Sequence, residues 1–149
     1  MQKLHMRDGE VVLMDNKFNP LYGLGKPNTA YAAYFIKDSF LNPLGKGVAN
    51  VSFEPGCRNN FHIHHGGGQI LLCTDGVGIY KQDGEKARKL LPGDVVVIPP
   101  NVRHFHGAYP DSWFAHVSVE VAPSEGTDWL EPVGDEEYLS YVAEAEKAK

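Results

Sequence analysis

Cysteine is scarce in this chain: Cys57 and Cys73 are the only two in 149 residues. Two thiols make neither a disulfide framework nor a zinc pattern. They fit a reducing compartment, so the cytoplasm is the expected location. Basic runs are also missing, and the net charge is -5. Nucleic acid and anionic membrane surfaces are therefore not expected partners. No apolar run approaches ~20 residues, and no charged segment followed by an apolar one opens the chain. Neither a membrane span nor a leader is expected. Long repeats and low-complexity tracts are absent as well. What remains is an ordinary globular composition, 42% hydrophobic and 22% charged. The length suits one domain, large enough to bury a core without staples.

The pattern along the chain is mostly that of short strands. Residues 9–15, "GEVVLMD", read as a strand. Residues 16–30 carry Pro20, Gly23, Gly25 and Pro27 and read as a loop or arm. "YAAYFIKDSFLNPLG" is ambiguous, its aromatics favouring strand or strand plus turn. "VANVSFEP" alternates, with Val51 and Phe53 on one face and Asn50, Ser52 and Glu54 on the other. Asp75-Gly76, Asp83-Gly84 and Pro92-Gly93 are hairpin and turn signals. "HFHGAYPDSWFAHVSVEVA" adds two strands around Tyr109-Pro110-Asp111. "DEEYLSYVAEAEKAK" has acids first, lysines last and no breaker, which predicts a short C-terminal helix. The expected class is an all-β barrel or sandwich. One domain spans 1–149, with an arm over 1–30, a core over about 31–122 and a tail with helix over about 123–149.

Histidine is where the sequence concentrates its chemistry. "NFHIHHGGGQ" (60–69) holds three of the seven histidines. Positions i and i+2 of a strand share a face, so His62 and His64 project together and His65 points the other way. His104 and His106 form a second such pair, and His116 lies on the following strand. Imidazole is the commonest protein ligand for divalent transition metals. Two histidines on one strand and a third from another leave open positions for water or substrate. A fourth ligand is expected from close by, and Gln69 begins the next strand after three glycines.

"GCRNNFHIHHGGGQILLCTDG" (56–76) resembles the first motif of the cupins, matched by Gly56, His62, His64, Gln69 and Gly76. "GDVVVIPPNVRH" (93–104) is similar to the second, through Gly93, Pro99 and His104. Asn101 stands where glycine is usual, and both residues adopt the left-handed conformation. Ala108 replaces an asparagine often found there. The resemblance implies a jelly-roll β-barrel with a metal held by His62, His64, His104 and Gln69. Glutamine in place of the usual glutamate brings no charge. Over roughly 47–138 the chain is similar to cupins associated with carboxymuconolactone decarboxylases and to bacterial manganese-dependent cupin hydroxynitrile lyases. That likeness implies His116 and His106 as pocket histidines, either serving as general base, and Ala49 and Val51 as small pocket residues.

These readings lead to an expected enzyme that polarises an oxygen of a small hydroxy or keto compound on one divalent ion. Manganese is favoured, with iron, zinc or nickel as alternatives. Lyase-type proton transfer fits best, cyanohydrin cleavage included. An iron-dependent dioxygenase and a metal-containing sensing module are the other expectations. A homodimer is the expected assembly, and a carboxymuconolactone decarboxylase-like protein a conceivable partner. Cys73 reads as an inert buried thiol, Arg58 and Arg103 as solvent-facing turn residues, and Trp113 with Phe114 as core.

Overall fold

The computed structural model describes residues 3–7, 10–14 and 18–148. Strands β1 (Lys3–Arg7) and β2 (Glu10–Met14) pair only with each other among the described residues. The strand expected over 9–15 is β2; positions 9 and 15 lie outside the described residues. The next strands are β3 (Lys26–Pro27), β4 (Phe35–Ile36), β5 (Ser39–Gly45), β6 (Val48–Phe53), β7 (Arg58–Asn59) and β8 (His62–Gly66). Then follow β9 (Gln69–Gly76), β10 (Gly78–Gln82), β11 (Arg88–Leu90), β12 (Val95–Ile98), β13 (His104–Ala108), β14 (Phe114–Glu120) and β15 (Ser124–Trp129). Helix α1 (Asp135–Lys147) ends the chain as the sequence predicts. No helix among the described residues is long and apolar enough to cross a membrane.

Two antiparallel sheets face each other. One has the order β12-β9-β14-β6-β5-β3; the other runs β11-β10-β13-β7-β4, with β8 on β13 and β15 on β8. This is the expected all-β jelly-roll class with a C-terminal helix. It is a sandwich and not the closed barrel expected: no pairing joins the two sheets among the described residues. At the rims, β3, β4 and β11 offer only two or three residues each, and the longer edge strands β12 and β15 pair with no strand of the other sheet among the described residues. The turn signals also divide. Asp83-Gly84 closes a true hairpin between β10 and β11. Asp75-Gly76, Pro92-Gly93 and Tyr109-Pro110-Asp111 instead carry the chain from one sheet to the other.

The core has two layers. Between the sheets lie Phe53, Leu71, Cys73, Tyr80, Val96, Ile98 and Phe114. Behind the sheet that carries β13, Phe61, Ile79 and Phe105 pack against Val133, Tyr138 and Ala145 of the tail and α1. Each fully buried phenylalanine contributes about 1.5–3 kcal/mol. All five residues of β13 are buried: His104 and His106 face inward while Phe105 faces the helix. Arg58, expected to face solvent, is instead buried. Its guanidinium donates to Val133 O and Asp135 Oδ1 and lies 4.3 Å over the Tyr138 ring. It fastens the tail to β7. The polar face of β6 is not left to solvent either. Asn50 and Ser52 are buried, and Asn50 Nδ2 donates to Gly23 O of the arm at 2.9 Å.

Candidate metal centre

Strand register builds the histidine cluster. His62 and His64 share the inner face of β8, and His104 on β13 pairs directly with His62. One ring nitrogen from each of the three lies within 4.8 Å of the others. Gln69 arrives from the opposite sheet. Residues 66–68 make that approach possible: a Cβ at Gly66 would sit 1.9 Å from Pro123 O, and one at Gly68 2.3 Å from Ile98 O. Both have positive φ.

Hydrogen bonds aim the donors. His62 Nδ1–H donates to Asn60 O at 2.8 Å and His104 Nδ1–H to Val102 O at 2.9 Å. In each ring this leaves the Nε2 lone pair free for a metal. His104 Nε2 is buried with no hydrogen-bond partner, a vacancy a cation would satisfy. His64 Nε2 lies 2.8 Å from Gln69 Oε1, and its Nδ1 lies 3.1 Å from Thr127 Oγ1. A hydroxyl donates or accepts, so Thr127 supports either tautomer of His64. Gln69 Nε2 donates to Ser118 Oγ at 2.5 Å, a brace for the amide whose oxygen faces His64. Burial pushes the His62, His64 and His104 imidazoles below the usual range, His104 to about 4. All three are neutral at neutral pH, the state that binds metal. Three neutral nitrogens and an amide oxygen fit a divalent transition ion.

His62, His64 and Gln69 form part of the wall of a cavity of about 600 Å³. His106 and His116 line it too, their ring centroids 5.0 Å apart. Burial lowers both, His116 to about 4. No side chain bonds either ring nitrogen of His116, whose one polar neighbour is the Val117 backbone, and His106 Nδ1 has no partner. Ala49 and Val51 face the cavity from β6, opposite Ser118 and His116. No lysine or arginine is among the described lining residues, and Glu120 is the one carboxylate.

His65 points away from the cluster, as strand parity predicts. Its ring bonds Asn101 Oδ1 at 3.1 Å and Asp128 Oδ2 at 2.8 Å, and these contacts raise its pKa. Asn101 itself has φ 66°, the left-handed conformation expected of the residue in glycine's place. Cys73 is buried, its thiol pushed up to about 12 by burial, and is inert. Arg103 bridges Asp83 and Glu131 at the surface. Phe114 is core, and Trp113 stacks on Phe18 of the arm at 4.8 Å.

Besides Thr127, which bonds His64, sequence reasoning missed three residues of the site. Trp129 on β15 stacks on His62 at 4.6 Å and on Tyr34 at 4.6 Å. It lay in a segment read as tail, although a lone tryptophan there was a signal. Asn59 and Ser118 hold His106 and Gln69 through hydrogen bonds. For Ser118, strand parity with His116 was the available clue.

Residues 49–112 match the family model described as a cupin domain. Over 91 residues the chain is 40% identical to a (R)-mandelonitrile lyase from Granulicella tundricola, covering 60% of this chain and 69% of that protein. A germin-like protein subfamily 1 member from Arabidopsis thaliana is 34% identical over 95 residues, 59% of this chain but only 42% of that protein. A solved cupin-like protein from Thermotoga maritima is 37% identical with a TM-score of 0.74, covering 81% of this chain and 96% of that one.

Proposed function

The chain belongs to the cupins, and on that footing we propose that it is a metal-dependent enzyme of lyase type acting on a small neutral hydroxy or keto compound, cyanohydrins included. One observation carries this reading. His62 and His64 of the three-imidazole cluster line one cavity together with two further buried imidazoles, His106 and His116, and His104 completes the cluster behind them. A pure binding pocket has little use for two titratable groups beside a metal. The 40% identity to a mandelonitrile lyase points to the same chemistry.

His62, His64, His104 and the Gln69 amide oxygen are the proposed ligands, and manganese the favoured ion. A divalent ion there supplies Lewis acidity, making a bound hydroxyl more acidic and a carbonyl more electrophilic. The chain's own residues do the rest. Among the described residues no lysine or arginine lines the cavity beside that ion, which favours neutral substrates. Trp129, stacked on His62, gives it an apolar wall. A cavity histidine takes the hydroxyl proton. With a cyanohydrin, the O–H pair becomes the carbonyl bond, and the C–CN bond breaks with its pair leaving as cyanide. Return of the proton gives hydrogen cyanide and the aldehyde or ketone.

The test is turnover of mandelonitrile, with hydroxy and keto acids in parallel, by protein of known metal content. His116→Ala is expected to keep the metal and lose at least ~100-fold in turnover. Unchanged turnover removes His116 from the mechanism. Metal-loaded protein that turns over none of these substrates favours the sensing module instead.

We also propose a homodimer. Among the described residues β12 pairs only with β9 and forms an edge of its sheet. Val95, Val97 and Leu72 are 51%, 68% and 40% exposed beside that edge. An exposed apolar edge strand is an aggregation hazard that a second copy, related by a twofold axis, relieves.

A further inference from the structure

Asn59 and His106 meet at two points. The His106 backbone N–H donates to Asn59 Oδ1 at 2.9 Å, and Asn59 Nδ2 lies 3.2 Å from His106 Nε2. Both residues are buried, Asn59 at 3% and His106 at 4% exposure. The chemistry of the pair leaves one arrangement. A backbone N–H only donates, so the atom facing it must be the amide oxygen. The other end of the side chain is then NH₂, which only donates. His106 Nε2 must therefore accept, and a neutral imidazole accepting at Nε2 carries its proton on Nδ1.

We propose that Asn59 is a positioning residue that locks His106 in the Nδ1–H tautomer, so that His106 presents a fixed hydrogen-bond donor to the substrate and His116 alone is free to take its proton. A new proton on His106 would have to enter at Nε2, where the Asn59 NH₂ already points. The alternative tautomer would set N–H against N–H. Nδ1–H is the remaining donor, and it has no partner on a ring that lines the cavity. His116 has no comparable restraint: no side chain bonds either of its nitrogens, and its one polar neighbour is the Val117 backbone, which leaves a nitrogen free to accept. The two imidazoles look interchangeable in the sequence. Asn59 makes one a donor and leaves the other as the base. The tautomer follows from the hydrogen bonds alone; the donor role rests on the lyase reading above.

The experiment is long-range ¹H–¹⁵N correlation NMR of the histidine rings in metal-free and zinc-loaded protein, with His106→Gln to assign the signals. The wild type is expected to show His106 as Nδ1–H in both forms. Asn59→Asp replaces the NH₂ with an acceptor and is expected to move the proton to Nε2. Asn59→Ala, which buries no charge, is expected to give a mixture of tautomers. A wild-type His106 protonated on Nε2 overturns the lock, as does an unchanged tautomer in folded Asn59 variants. These readings need no turnover, so they stand or fall apart from the lyase reading. With an active substrate, Asn59→Asp is expected to lose at least about tenfold in kcat at unchanged metal content. A flipped tautomer with unchanged kcat overturns the donor role.

Discussion

Ser118 braces the Gln69 amide. An amide has one ligating atom and one that repels a cation, and the two differ only by a rotation. With Gln69 Nε2 on Ser118 Oγ and Oε1 facing His64 Nε2, both ends of the amide are held. Ser118→Ala is expected to weaken metal binding about 10- to 100-fold, measured by competition with a chelating dye at neutral pH. Full affinity in that variant would show that the amide orients itself. His62, His64 and His104 were legible because strand parity and motif spacing are written in the order of residues. Asn59 was not, since its partner His106 lies 47 positions away and only the fold brings them together. Arg58 was misread for a related reason: nothing nearby foretold that Val133 O and Asp135 would return to meet it.

β13 works on both of its faces. Its inner face carries His104 and His106, and its outer face packs Phe105 against Phe61 and Tyr141. The helix layer therefore holds this strand in place without touching the histidine cluster. Phe105→Ala is expected to cost 3–5 kcal/mol of unfolding free energy, measured by urea denaturation. The folded variant should retain its metal stoichiometry, because the cavity side of β13 is unchanged. The alternation of β6 and the helix of residues 135–147 were readable as period and capping charge. β15 was not. "SEGTDW" is poor in strand formers and is a strand because β8 pairs with it. Turn residues likewise announced where the chain bends, but not which sheet it enters next.

For the whole molecule, neutral buried imidazoles tie stability to pH. His104 and His116 titrate near 4 in the fold against a usual 6.5. Below 6.5 the unfolded chain binds more protons than the fold, so stability falls as pH drops through that window. Metal-free protein is expected to lose stability steadily from pH 6.5 to 4, read as a falling Tm. A flat Tm across that range would contradict neutral burial. Assembly is a second property at this scale. Light scattering is expected to give a dimer, and Val97→Asp a monomer with its metal intact; a monomeric wild type would leave the β12 edge without the proposed role. The functional reading rests on the histidine cluster holding a metal, and elemental analysis of purified protein tests that most directly. The account predicts about one divalent ion per chain in the wild type and none in the folded His62→Ala/His64→Ala variant. A wild type without bound ion after loading, or full occupancy in the double variant, would contradict it.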